Sequence, residues 1–139
     1  MNYKIIGKYI KELKFNIPNP KTFYLLSKEI SNYKINVDIK SNQVKQKMIE
    51  VQISLGLTPT RSDFEIIDAK ITFSTIIEIS NEKIEQKEVE KIILINIPSQ
   101  VYSEIRNIFV SLFENCGFKD VNISKHVDFK KLYEMRKVQ

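Results

Sequence analysis

Ile49-Glu50-Val51-Gln52-Ile53-Ser54-Leu55-Gly56-Leu57 alternates apolar with polar or small residues without a break. Successive side chains of a β-strand point to opposite faces, so this stretch makes one buried face and one wet face. Upstream, Tyr33, Ile35, Val37 and Ile39 alternate in the same way with Lys34, Asn36, Asp38 and Lys40. Downstream, Ile67, Ala69, Ile71, Phe73, Ile77 and Ile79 stand opposite Asp68, Lys70, Thr72 and Ser74. Nearer the N-terminus, Tyr9, Leu13 and Phe15 share a face that Lys11 interrupts. Four such segments predict an antiparallel sheet with one covered side. Pro18-Asn19-Pro20 separates the first strand from the next segment, because neither proline can donate to a ladder. Ser41-Asn42-Gln43 and Thr58-Pro59-Thr60-Arg61-Ser62-Asp63 read as hairpin connections, and strands joined in this order suggest a meander.

The period changes near Pro98. Val101, Ile105, Ile108, Phe109, Leu112 and Phe113 recur at helical spacing, and Gly117 sits where a left-handed stop is needed. A short second helix is expected after Asp128, a credible N-cap, with Phe129, Leu132 and Tyr133 on one face. The stretch from Ile92 to Ile97 is apolar throughout, and its periodicity fits a strand or a buried helix equally. Strands first and helices last imply α+β layering in a single domain over residues 1–139, with both helices on the apolar side of the sheet.

Composition narrows the function classes. The 139 residues are 42% hydrophobic, enough for a core, with no apolar run of about eighteen residues for a membrane span. Lys4 and Lys8 interrupt the apolar start, which argues against a secretory signal. The lone Cys116 fits a reducing cytoplasm. The formal net charge of +5 raises the question of nucleic acid, yet lysines such as Lys21, Lys34, Lys45 and Lys70 are scattered among acids and apolar residues. Solvation explains that pattern better, and no nucleic-acid partner is expected.

Catalytic chemistry is thinly represented. One histidine, His126, and one cysteine cannot supply a zinc site, and His126 lies in what reads as a surface loop. Three glycines, Gly7, Gly56 and Gly117, assemble no phosphate loop. Glu78, Glu82, Glu85, Glu88 and Glu90 alternate with Lys83, Lys87 and Lys91 as a solvated connection would. The expectation is a protein with no catalytic residues, no metal and no cofactor. Two apolar clusters stand out instead: Phe23-Tyr24-Leu25-Leu26, in what reads as a short connection, and Ile92 through Tyr102. Such surface serves either a core or an apolar partner.

Pro98, Val101, Tyr102 and Arg106 resemble the signature of the SecB family of protein-export chaperones, with Ser103 in place of its second proline. Cys116-Gly117-Phe118, then Val121 and Ile123, then Asp128-Phe129-Lys130-Lys131-Leu132-Tyr133 are similar to that family's ending, and Tyr9 through Asn19 to its opening strand. The resemblance implies a four-stranded antiparallel sheet with a long and a short helix, assembled as a homotetramer, a dimer of dimers. It implies cytoplasmic, ATP-independent holding of unfolded preproteins and delivery to the SecA motor ATPase, without insertion into the membrane. It places client grooves at Phe23, Tyr24, Leu25, Leu26, Pro98, Val101 and Tyr102, and motor docking at Glu12 and at Glu65 or Asp68. Family members are commonly acidic, and this chain is basic with a short basic end. A SecB-like holdase with another partner, such as an antitoxin, is therefore the alternative.

Overall fold

The structure, a computed structural model, describes residues 2–29, 33–59, 67–80, 83–118 and 123–138. In chain order it contains β1 (Tyr3–Asn16), α1 (Pro20–Glu29), β2 (Tyr33–Lys45), β3 (Met48–Pro59), β4 (Asp68–Ile79), α2 (Gln86–Lys91), a π turn (Ile92–Asn96), α3 (Ile97–Asn115) and α4 (Phe129–Val138). The four strands form one antiparallel sheet in the order β1-β4-β3-β2. Only β2, β3 and β4 form the expected meander; β1 pairs with β4 at the opposite edge. The two strands flanked on both sides are the most thoroughly apolar, and the lysine-bearing β1 and β2 become the edges.

The expected alternation of β3 holds: Val51, Ile53 and Leu55 are wholly buried against Thr75, Phe73 and Ile71 of β4. In β1 it is broken twice. Register shifts leave Ile6 and Lys11 without Cα partners, each a bulge that reverses the facing of the residues after it. Tyr3, Ile5, Ile10, Leu13 and Phe15 therefore share the helix side of the sheet, and Tyr9 turns to the outer side beside Ser74. Lys11, the residue that interrupts the apolar face in the sequence, is the bulged one.

Ser41-Asn42-Gln43 is not a turn; it continues β2 opposite Val51, Glu50 and Ile49. The chain reverses later, next to Lys47, whose φ of 69° lies in the left-handed region. Residues 60–66, which include most of the second expected connection, lie outside the described residues.

Pro18-Asn19-Pro20 does end β1, but it also starts a helix. Asn19 Oδ1 accepts hydrogen bonds from the Thr22 N–H (2.8 Å) and hydroxyl (3.0 Å), an N-cap with proline in the first helical position. Phe23–Leu26 consequently lies on α1 rather than in a loop. The charged stretch after β4 likewise contains helix α2, which runs without a break through the π turn into α3. Pro98 explains the π turn: in a regular helix its ring would collide with the Leu94 carbonyl, and a widened turn there relieves it.

Ile97, Val101, Ile105, Phe109 and Phe113 of α3 are fully buried over the sheet. The helix ends in a Schellman motif: Phe118 N–H donates to the Phe113 carbonyl (3.0 Å), Gly117 N–H to that of Glu114 (3.1 Å), and Gly117 takes φ 98°. Aromatic contacts then chain β1 to α1 through Phe15–Phe113 (4.8 Å), Phe113–Phe118 (5.7 Å) and Phe118–Phe23 (4.9 Å). Asp128 caps α4, accepting from Lys131 N–H at 3.0 Å, and Phe129 and Tyr133 are buried. Among the described residues no helix is long and apolar enough to cross a membrane.

Candidate functional site

Apolar side chains remain at the surface in three places. Between β2 and α4 lies a groove of about 290 Å³, walled by Val37 and Ile39, by Leu94 of the π turn, and by Phe129, Leu132 and Tyr133. Farther along β2, beside Ser41 and Gln43, a second groove of about 320 Å³ is floored by Ile49, Ile79 and Ile84 and closed by Val89 and Ile93. A third, open hollow of about 560 Å³ is lined by Phe15, Ile17, Pro18, Pro20, Phe23 and Cys116. Next to it on α1, Tyr24 and Leu25 are 57% and 44% exposed, with Lys28 Nζ 4.4 Å from the centre of the Tyr24 ring.

The seven residues expected to line a client groove divide sharply. Phe23 is half-buried on the hollow, and Tyr24 and Leu25 are open. Leu26, Pro98, Val101 and Tyr102 belong to the core and give the protomer no surface. Both sets are greasy, so composition does not separate them; the helical wheel of α1 and the sheet-facing side of α3 do. Tyr102 has a structural task. Its hydroxyl donates to the Ser124 carbonyl (2.7 Å), and Arg106 Nε donates to that of Ile123 (3.0 Å), so the pair ties the segment before α4 onto α3. Burial pushes the Tyr102 hydroxyl pKa up, partly offset by the nearby Arg106 charge. Grooves flanking the π turn were hidden in the sequence, because Val37, Leu94 and Leu132 are far apart along the chain.

The outer face of the sheet is polar. Glu12, paired with Thr72, and Asp68, paired with Asn16, are exposed there, with Lys14 and Lys70 facing each other between them. Glu65 lies outside the described residues. Glu50, on the same face, is only 7% exposed. Its carboxylate accepts from Ser74 Oγ (2.6 Å), Tyr9 Oη (2.6 Å), Gln52 Nε2 (2.8 Å) and Asn42 Nδ2 (3.5 Å), and Lys11 Nζ stands 3.4 Å away. These donors come from all four strands. They hold the carboxyl at about 2 against the usual 4.5, Ser74 contributing most, while burial works in the opposite direction. His126 and Cys116 are exposed, and among the described residues no three His, Cys, Asp or Glu side chains gather to hold a metal.

Comparison with known proteins gives one family. The family model described as preprotein translocase subunit SecB matches residues 1–139. The chain is 34% identical over 135 residues to the putative protein-export protein SecB of Pelagibacter ubique (strain HTCC1062), covering 97% of this chain and 96% of that one. It is 26% identical to the protein-export protein SecB of Anaplasma phagocytophilum (strain HZ), covering 94% and 90%. Its fold is similar to that of a Mycobacterium tuberculosis SecB-like chaperone in complex with a ChAD peptide from the HigA1 antitoxin, with a TM-score of 0.64, 11% identity and 88% and 90% of the two chains covered. With a family model and relatives that span its whole length, the chain belongs to the SecB family.

Proposed function

We propose that this protein is a cytoplasmic, ATP-independent chaperone that holds unfolded preproteins in apolar grooves and keeps them competent for export through the Sec pathway. Family membership supports the reading, and one structural observation carries it: a folded protomer leaves Tyr24, Leu25 and Leu132 exposed beside apolar grooves. An unfolded chain offers the complementary surface. Each large apolar side chain removed from water is worth about 1.5–3 kcal/mol before ordering costs, so one groove binds weakly and several on one assembly bind well.

The assembly is argued from β1. Its far edge has no strand partner among the described residues of the protomer, and it presents Ile6, Tyr9, Ile10 and Leu13 at 43–47% exposure. Apolar side chains along an unpaired edge favour self-association, and the family resemblance makes the product a tetramer, a dimer of dimers. Delivery to SecA would use Glu12 and Asp68 on the outer face. Lys14 and Lys70 between these acids favour a second reading, a holdase of the same kind with a different recipient.

The test is suppression of aggregation of a denatured preprotein without nucleotide, with sedimentation of the chaperone and a pull-down with SecA. Holding that needs no ATP, together with SecA capture, supports the full reading. Holding without capture leaves the second reading, and an inert protein overturns both.

A further inference from the structure

The helix-side layer of the sheet is unfinished along β2. On β3, Ile53, Leu55 and Leu57 are at most 6% exposed, yet their partners on β2, Ile39, Val37 and Ile35, are only half-buried. They pack against the core on one flank and lack cover on the other. β2 is also the last strand of the sheet, so the backbone donors and acceptors of its far edge enter no strand ladder among the described residues. The two smaller grooves lie beside this same edge, one at Val37 and Ile39, the other at Ser41 and Gln43. Corresponding positions are four residues apart, about 13 Å in an extended strand. The π turn stands between the grooves, with Leu94 in one and Ile93 in the other.

We propose that a client segment binds as a fifth strand on β2, hydrogen-bonded along its edge, with side chains i and i+4 entering the two grooves in turn. This rests on the holdase reading and specifies how that site recognises a chain. A strand is the one conformation that puts residues i and i+4 on the same face at this spacing and also satisfies an open ladder. The groove at Val37 is mostly apolar and takes a large aliphatic or aromatic residue. The groove at Ser41 has Asn42, Gln43 and Gln86 on its rim and accepts side chains with a polar end.

The occupant is another polypeptide rather than a second copy. Lys34, Lys40 and Lys45 line β2 against the single acid Asp38, so two such edges repel. The same lysines favour acidic residues at the alternate positions of the client, on the outer face. Recognition is thus set by backbone and alternation rather than by an exact sequence, which suits a protein that must accept many unfolded chains.

The probe is a fluorescein-labelled nine-residue peptide alternating leucine and glutamate, made unmodified and with backbone N-methyl groups on either alternate set of amides. On an edge strand only one set points at β2. Methylating that set weakens binding about tenfold or more, methylating the other changes it by less than about threefold, and amide exchange slows at alternate β2 residues. Equal effects from both sets, with binding intact, overturn the fifth strand and leave the holdase reading standing. Failure of the peptide to bind while a carboxymethylated unfolded protein is still held also overturns this inference alone. Failure to hold either probe overturns both.

Discussion

Ile92 and Ile97 are five residues apart in one unbroken helical run, and both are buried in the same core, at 1% and 0% exposure. A regular helix would turn them apart; the π turn brings them into line and aims Ile93 and Leu94 into the grooves on either side. Deleting the exposed Asn96 should therefore leave the core register intact. The cost is about 3 kcal/mol, because Pro98 then falls in a regular helix. Deleting the equally exposed Asn107 turns Phe109 and Phe113 about 100° off the sheet and should abolish folding. Urea titrations of the two deletion variants check this: equal losses would mean the π turn does not absorb the extra residue.

Glu50 should make stability depend on acid. Its folded pKa of about 2 lies below the ordinary 4.5, so between these values the unfolded chain takes up a proton that the folded one refuses. The stabilisation is complete above about pH 4.5 and drains away as the pH falls toward 2. Glu50→Gln should lose about 2 kcal/mol at pH 7, by loss of charge-assisted hydrogen bonds, and show a flatter profile across that window. Denaturation midpoints from pH 2 to 7 test it, and parallel profiles for the two proteins would remove Glu50 as the cause.

Tyr24 and Tyr102 have the same side chain and opposite fates. Tyr102→Asp buries a charge where the ring meets Phe129 at 5.9 Å and the hydroxyl meets Ser124, so the protein should not fold. Tyr102→Phe keeps the packing and should lose only about 1 kcal/mol for the hydrogen bond. Tyr24→Asp changes an exposed residue; stability should move by less than about 0.5 kcal/mol while client holding weakens. Circular dichroism melts beside light-scattering assays separate these outcomes. A folded, inactive Tyr102→Asp would return that residue to the binding surface.

What the sequence made legible depended on whether a feature was local. Strict alternation marks β3, and the spacing of Val101, Ile105 and Phe109 marks the buried face of α3, since each pattern is written within one element. Tyr9 faces away from its expected side because a bulge changes facing only relative to a partner strand, and β4 lies far down the chain. The Asn19-Pro20 start of α1 is written locally, but a proline that ends one element looks the same as a proline that begins the next. The alternation puts Glu50 on the correct face without revealing its burial, because its cover comes from Tyr9, Ser74 and Asn42 on three other strands. The grooves on either side of the π turn belong to that class too.

Gly117 couples the end of α3 to the hollow beside α1. Its φ of 98° is unfavourable for any residue with a Cβ, and an added Cβ would sit 3.3 Å from the rim of the Phe23 ring. Gly117→Ala should cost about 1–3 kcal/mol, mostly backbone strain. Phe23→Leu should relieve the ring contact alone and recover a few tenths of that. Thermal melts of both single variants and the double variant check the split; full recovery in the double variant would assign the cost to packing.

Leu132 offers the cleanest separation of folding from holding. It is 49% exposed on α4, between the buried Phe129 and Tyr133, and forms one wall of the groove against β2. An aspartate there stays hydrated in the free protein, so stability should change by less than about 0.5 kcal/mol. In the complex the same carboxylate must be desolvated against an apolar client side chain, which weakens binding about tenfold or more. Leu132→Met keeps an apolar wall and should bind within about threefold of the parent. Fluorescence anisotropy of a labelled, carboxymethylated unfolded protein against both variants reads the difference. If Leu132→Asp holds that chain as tightly as the parent does, the groove between β2 and α4 takes no client, and the exposed face of α1 must carry the binding alone.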